Sequence, residues 1–331
     1  MIHPWNEPAW RVLLGGLDRL PHAILVSGQK GIGKLEFASA LAGRLLCETA
    51  GPMAEACGTC QGCRLFGAQT HPDFRLIEPE ALGAQGASAV VAEDPEEKSA
   101  GPAKRAKPSI EIKVEQIRDL ADFLNIGSHR AGRRIVLVYP AEQLSKNAAN
   151  SLLKALEEPP SGAMFILVSN NPTDLLPTIR SRCVVVALRV PAAEIGGAWL
   201  AAQGVAGAKG WLKFYGGAPL LAKAKLDAGP IDTLAELLGA SPNDRGRLLG
   251  KIKEREDIAR LIDALQKYSL DRALVAAGAA PKYLQMRAAR TSADDARKWV
   301  ATARRLGRHR EIGSHPLNSL LFVNQIISEL N

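Results

Sequence analysis

No uncharged apolar run in this chain reaches the ~18 residues that a membrane span needs. The first ten residues also lack a basic stretch followed by an apolar one, so no secretory leader is expected and the sequence reads as a soluble, cytoplasmic protein. Compositional bias is missing as well. Hydrophobic residues make up 47% of the chain and charged residues 23%, close to globular averages, which excludes disorder or collagen-like structure over most of the length. There is no internal repeat, and at about 150 residues per domain the 331 residues divide into two or three domains.

Acidic residues are the scarcer charge, 34 against 42 Lys and Arg, for a net +8. Residues 251–310 hold 15 basic and 7 acidic side chains, which equals that whole excess. Any attraction for a polyanion should therefore centre on the C-terminal fifth, although a solvated helical face carries charge in the same way.

Between residues 23 and 190, short β-rich runs alternate with helical patterns, the signature of a parallel sheet covered by helices. The candidate strands are 23–27, 74–77, 135–139, 164–169 and 183–187. Ala149, Leu152, Leu153 and Leu156 recur at helical spacing and give one apolar face that stops before Pro159 and Pro160. The Ala, Gly and Pro-rich stretch 79–108, with an acidic block followed by a basic one, reads as a mobile insertion loop. Past residue 190 the β-branched runs give way to Ala/Leu-rich helical patterns, marking a domain boundary, and Gly229-Pro230 punctuates the helical part. The expected domains are 1–189, 190–231 and 232–331.

Gly28-Gln29-Lys30-Gly31-Ile32-Gly33-Lys34 follows the first strand and opens a helical pattern, where a phosphate-binding loop must sit. Gly28, Gly31 and Gly33 let backbone N–H groups face phosphate oxygens, the helix N-terminus adds positive dipole, and Lys34 supplies a point charge. Position 35, however, is Leu, where a hydroxyl is needed to ligate magnesium. The apolar strand after residue 134 should end in carboxylates for magnesium and water; Tyr139 and Pro140 stand there instead. Glu142, the nearest carboxylate, is expected at the surface, with a displaced base as the alternative. Nucleotide binding, ATP or ADP, is thus compatible with the sequence, while magnesium-dependent turnover is not expected.

Of five cysteines, Cys47, Cys57, Cys60 and Cys63 fall within seventeen residues. Clustered cysteines in a cytosolic chain favour metal over disulfides, and four thiolates suit a closed, structural, tetrahedral zinc site that staples a short segment with little apolar surface of its own. Free or redox-active thiols are the alternative. Cys183, in a β-rich run, is expected in the core.

The stretch 148–160, Ala-Ala-Asn-Ser-Leu-Leu-Lys-Ala-Leu-Glu-Glu-Pro-Pro, and the stretch 175–183, Leu-Leu-Pro-Thr-Ile-Arg-Ser-Arg-Cys, closely resemble the clamp-loader branch of the AAA+ ATPases. With the phosphate loop, the four-cysteine insert and His71-Pro72-Asp73, the resemblance covers roughly residues 21–187. It implies an α/β P-loop AAA+ domain with a zinc-binding insert, a small helical lid and an all-α C-terminal collar. The chain departs from the motor pattern of the family at Leu35, Tyr139, Pro140 and Leu220, the last where a lid arginine is expected. Losing all four parts should cost orders of magnitude in rate, because positioning and charge neutralisation are nearly the whole of phosphoryl-transfer catalysis. By the same resemblance, Arg182 is an arginine finger presented in trans to a neighbour's nucleotide, with an arginine bonded to its own chain as the alternative, and Asn170 stands at a sensor position but, with the catalytic pair gone, is read as structural. The implied partners are gamma/tau motor subunits and a delta subunit in a hetero-pentamer, a sliding clamp and, weakly, primed DNA. Two rival expectations are an active AAA+ ATPase and a zinc-dependent nucleic-acid-binding protein.

Overall fold

The computed structural model describes residues 2–51, 54–87, 108–125, 132–227, 255–283 and 293–312. The chain forms two compact units, Met1–Val190 and Pro191–Asn331. In chain order the first unit runs α1 (Glu7–Leu14), β1 (Ala23–Ser27), α2 (Lys34–Leu46), α3 (Gln61–Gly67), β2 (Phe74–Ile77), α4 (Glu80–Ala87), α5 (Val114–Asn125), β3 (Arg134–Val138), α6 (Lys146–Glu157), β4 (Ala163–Ser169), α7 (Pro177–Ser181) and β5 (Val184–Ala187). The five strands form one sheet in the order β2-β3-β4-β1-β5, every neighbouring pair parallel. Parallel neighbours need crossover connections, and the helices between successive strands supply them.

The inner strands β1, β3 and β4 are buried along their whole length, as expected for a sheet covered on both faces. Side chains alternate across a strand. Ala23, Leu25, Val136, Val138, Phe165 and Leu167 face one way and form a core with Ile117, Leu120 and Phe123 of α5 and Leu152 and Leu156 of α6. The residues between them turn to the other face, where α2 packs against β1, β3 and β4. Ser145 starts α6 by accepting a hydrogen bond from the Ala148 amide (3.3 Å), and the helix stops one residue before the Glu158-Pro159 bond.

Four expectations shift, the smallest at β4, which starts at Ala163 and not at residue 164. The strand expected over 135–139 spans Arg134–Val138: Arg134 pairs with Ala163 in register, and Tyr139 lies past the last paired residue, its amide still donating to the Ile77 carbonyl of β2. The last strand starts at Val184, with Cys183 buried just before it in the main core. The insertion expected as loop from residue 79 begins with a helix, α4, because Glu80-Ala81-Leu82 and the residues after them include good helix formers and Pro79 precedes the first turn. Its acidic and basic blocks lie outside the described residues.

The regular structure of the second unit is all helical among its described residues: α8 (Ala193–Ala202), α9 (Ala208–Phe214), α10 (Pro219–Asp227), α11 (Arg255–Ala276) and α12 (Ala293–Ile312). Leu200, Leu212, Phe214, Tyr215 and Ala222 share a core with Ile258, Leu261, Ile262, Leu265 and Leu306. Helices α11 and α12 pack along each other, with Tyr268 edge-on to Trp299 at 5.8 Å. The Gly229-Pro230 boundary lies outside the described residues. No helix is long and apolar enough to cross a membrane, among the described residues.

Candidate functional site

The phosphate loop joins β1 to α2 and is built around glycines with positive φ, 149° at Gly28, 81° at Gly31 and 85° at Gly33. At Gly28 a Cβ would lie 2.4 Å from the Leu188 carbonyl oxygen, so only glycine fits between the loop and the residue that follows β5. Gly33 caps α2, and Lys34 is the first residue of that helix. The loop is thus a concave run of backbone at the positive end of a thirteen-residue helix, a geometry that receives anions.

Lys34 is only 3% exposed and donates to the Gln29 carbonyl at 2.6 Å, folding the loop on itself. The N-terminal segment adds contacts that sequence reasoning missed. Trp5 Nε1 and Asn6 Nδ2 both donate to the Ile32 carbonyl, at 2.9 and 2.8 Å, and the His3 ring stacks on Trp5. A Cβ at Gly33 would meet His3 Cδ2 at 2.4 Å. The loop is therefore engaged from within its own chain.

Burial pushes the Lys34 ammonium down to about 8 from its ordinary 10.5, with Glu142 and Glu36 offsetting only part of the effect. A lysine lowered on folding costs stability wherever it is charged in the folded state, so the cost is full below about pH 8 and fades as pH rises toward 10.5. Lys34→Met is expected to stabilise the chain by on the order of 3 kcal/mol at pH 7 and by less than about 1 kcal/mol at pH 10. Urea unfolding at the two pH values checks this, and equal effects would contradict it.

At the end of β3, Tyr139 and Pro140 occupy the positions where strand-end carboxylates were sought. Burial raises the Tyr139 phenol above its ordinary range, so it stays protonated and is no base. Glu142 corrects the expectation of a surface side chain. The short 3-10 turn Ala141–Gln143 aims its half-buried carboxylate at the end of β4, where Oε1 accepts from Asn170 Nδ2 (3.0 Å) and both oxygens lie within reach of the Asn170 amide (3.1 and 3.3 Å). Glu142, Asn170, Tyr139 and Lys34 therefore surround one corner of the loop. Leu35 is half-buried at the start of α2, and Leu220 lies on α10.

The four cysteines come together where α2 ends and α3 begins. Cys47 is the C-cap of α2 and Cys60 the N-cap of α3, its sulfur accepting from the Cys63 amide at 3.4 Å. Cys57 Sγ accepts from the Cys60 amide (3.2 Å), and Cys47 Sγ from the Cys57 amide (3.3 Å). All four sulfurs lie within 4.8 Å of one another, with Cys47–Cys60 and Cys57–Cys63 both at 3.9 Å. A tetrahedral ion with metal–sulfur bonds of about 2.3 Å would hold its sulfurs about 3.8 Å apart, so the cluster has the dimensions of a metal site. Hydrogen bonds, first from Thr49 and then from the Cys60 and Thr59 amides, pull the Cys57 thiol down to about 5. Burial pushes Cys63 up to about 12, the thiol a bound cation would have to deprotonate.

Arg182 caps the C-terminus of α7 at the rim of the first unit, its side chain 34% exposed. Nη1 donates to the Thr178 carbonyl at 3.0 Å and lies 3.5 Å from Ser181 Oγ, while Nη2 pairs with Glu157. Arg182 is thus bonded within its own chain, apart from the corner that gathers Lys34, Glu142 and Asn170.

A family model described as DNA polymerase III, delta subunit, matches residues 16–192. The DNA polymerase III subunit delta' of Pseudomonas aeruginosa is 38% identical over 269 residues, 80% of this chain and 66% of that protein. The subunit delta' of Haemophilus influenzae is 30% identical over 236 residues, 70% of this chain and 63% of that protein. The matched regions thus span just under two thirds of these relatives' own lengths. A crystal structure of a DNA polymerase III gamma subunit-related protein from Thermotoga maritima shares the fold, with a TM-score of 0.51 over 97% of each chain at 18% identity.

Proposed function

The chain belongs to the DNA polymerase III delta' family, and we propose on that premise that it is the stator of a clamp loader, a subunit that helps others to hydrolyse ATP without doing so itself. The observation that carries this reading is the contrast between an incomplete site and an intact rim arginine. Lys34 and its glycines survive, but Leu35, Tyr139 and Pro140 replace the hydroxyl and the carboxylates that hold magnesium and water. Arg182 needs none of those parts, because a finger acts on a phosphate bound by the neighbouring subunit. Gly28, Gly31, Gly33 and Lys34 would hold ATP or ADP without turnover, and Trp5 and Asn6 brace the same loop by donating to the Ile32 carbonyl.

On this reading the partners are gamma/tau motor subunits and a delta subunit, and together they open a sliding clamp and place it on primed DNA in the cytoplasm. The fit of the four sulfurs supports a structural zinc ion held by Cys47, Cys57, Cys60 and Cys63, which would fix the segment between α2 and α3. DNA binding by the chain alone would be weak, sequence-independent and steeply dependent on salt. The three-domain division, with lid and collar after residue 190, is part of the same proposal.

Glu142 favours one second reading, an active ATPase with a displaced base, since its carboxylate turns toward Asn170 and adds to the field at Lys34. Asn170 already occupies that carboxylate, which leaves it poorly placed to polarise water. Reconstitution decides the main proposal. The chain mixed with motor and delta subunits should form one stoichiometric complex that loads a clamp on primed DNA, and omitting it should abolish loading. Full loading in its absence would overturn the proposal.

A further inference from the structure

The pair made by Arg182 points to a second residue in the same function. We propose that Glu157 is a positioning residue that holds the Arg182 guanidinium in the orientation a neighbouring subunit's phosphate meets. This rests on the stator reading, because it specifies how the finger of that reading is aimed.

The two side chains reach each other from anchored ends. Leu156, next to Glu157, is 1% exposed in the main core, and Cys183, next to Arg182, is buried in the same cluster. Ile179, wholly buried, pins the short helix α7 to that core one turn before Arg182. Glu157 is the last residue of α6, which the downstream prolines end at that point. Core packing thus brings the end of α6 and the end of α7 side by side, and the two side chains meet at the surface, Glu157 at 48% and Arg182 at 34% exposure.

An arginine on a surface costs rotamer entropy to hold in one pose. Here two acceptors fix it: the Thr178 carbonyl takes Nη1 and the Glu157 carboxylate takes Nη2. Counting the longer contact to Ser181 Oγ, these occupy at most three of the five N–H donors, leaving two for oxygens of a transferring phosphoryl group. The carboxylate therefore aims the fork without using it up. Glu158, one residue on, is also a carboxylate but makes no hydrogen bond or ion pair with Arg182 among the described residues, so it separates aim from charge.

The test is steady-state ATP hydrolysis by the reconstituted loader carrying Glu157→Gln, Glu158→Gln, Arg182→Ala or the Glu157→Gln/Arg182→Ala pair. Glu157→Gln is expected to slow the hydrolytic phase that depends on Arg182 by about two- to fivefold, the scale of an exposed ion pair, with KM for ATP unchanged. Glu158→Gln should have no effect, Glu157→Asp should restore part of the loss, and Glu157→Gln should add nothing once Arg182 is alanine. Equal effects of the two glutamates, a gain in rate, or a full Glu157→Gln effect in the Arg182→Ala background would overturn the positioning role. If Arg182→Ala itself leaves hydrolysis unchanged, the stator reading beneath it fails instead. The pair is exposed, so urea unfolding of each variant should stay close to that of the parent chain and exclude misfolding as the cause.

Discussion

Alanine at Arg182 is expected to silence the neighbouring motor site of a reconstituted loader, slowing hydrolysis there by about 10³-fold or more. The magnitude follows from the chemistry of phosphoryl transfer, where there is little for a protein to do except position the groups and neutralise the charge that spreads over the transferring oxygens. A planar, always-charged guanidinium does this with two parallel N–H donors, and a methyl group supplies neither charge nor donors. Lysine at position 182 keeps the charge but not the fork, and should fall between the two. Folding should be nearly indifferent, since the pair with Glu157 lies at the surface and such pairs contribute about 0–1 kcal/mol. Pre-steady-state phosphate release from the assembled loader is the measurement. Loss of one hydrolytic phase with unchanged assembly is the expected record, and an unaltered burst would remove Arg182 from the mechanism.

At the proposed zinc site, removing the ion should have the largest effect on the chain itself. The segment between α2 and α3 offers little apolar surface: Cys57 is exposed, the other three cysteines are half-buried, and among the described residues the backbone there is held by N–H···S bonds to Cys47, Cys57 and Cys60 and by Arg44 donating to the Ala50, Gly51 and Ala54 carbonyls. Structural zinc contributes roughly 10 kcal/mol or more of apparent binding free energy in small zinc domains, and a site of this geometry should draw on the same source. Chelation, or Cys60→Ala, is therefore expected to unfold residues 47–67 locally and lower the melting temperature, while amides of β1 and β4 stay protected because their core does not include the cysteine cluster. Hydrogen exchange with and without chelator, together with a titration expecting one ion per chain, reads both effects. If chelation instead abolished DNA binding and left exchange in this segment unchanged, the cluster would be a nucleic-acid reader and the zinc-dependent binding protein would be the better account.

What could be read from the sequence, and what could not, divides along physical lines. The inner strands were legible because burial on both faces demands uninterrupted apolar runs, and Ile24 to Val26, Ile135 to Val138 and Met164 to Val168 are such runs. The phosphate loop was legible because glycine at fixed spacing is the only way to make its backbone, and the cysteine cluster because thiolates so close in sequence have few other uses. Strand ends moved by a residue, as at β3, where the Arg134 amide donating to the Gly162 carbonyl, and not hydropathy, decides the first residue. Glu142 was misjudged because a one-residue change in a 3-10 turn swings a side chain from solvent to the end of β4, and nothing local in the sequence reports that turn. Trp5 and Asn6 were missed for a different reason. Their partner Ile32 lies 27 and 26 residues away, and a contact across that separation leaves no periodic trace. The pairing of Arg182 with Glu157 is of the same kind, since both motifs were visible but their meeting depends on how α6 and α7 share a core.

The central claim is that this chain assists ATP hydrolysis and performs none. The most direct test is ATP turnover by the purified chain with magnesium, with and without primed DNA, against its Lys34→Ala variant. The account predicts the same background rate for both proteins, whether or not nucleotide binds. Turnover well above background that disappears with Lys34→Ala would contradict it, and would mean that other groups, Glu142 first among them, have taken over from the missing hydroxyl and carboxylates.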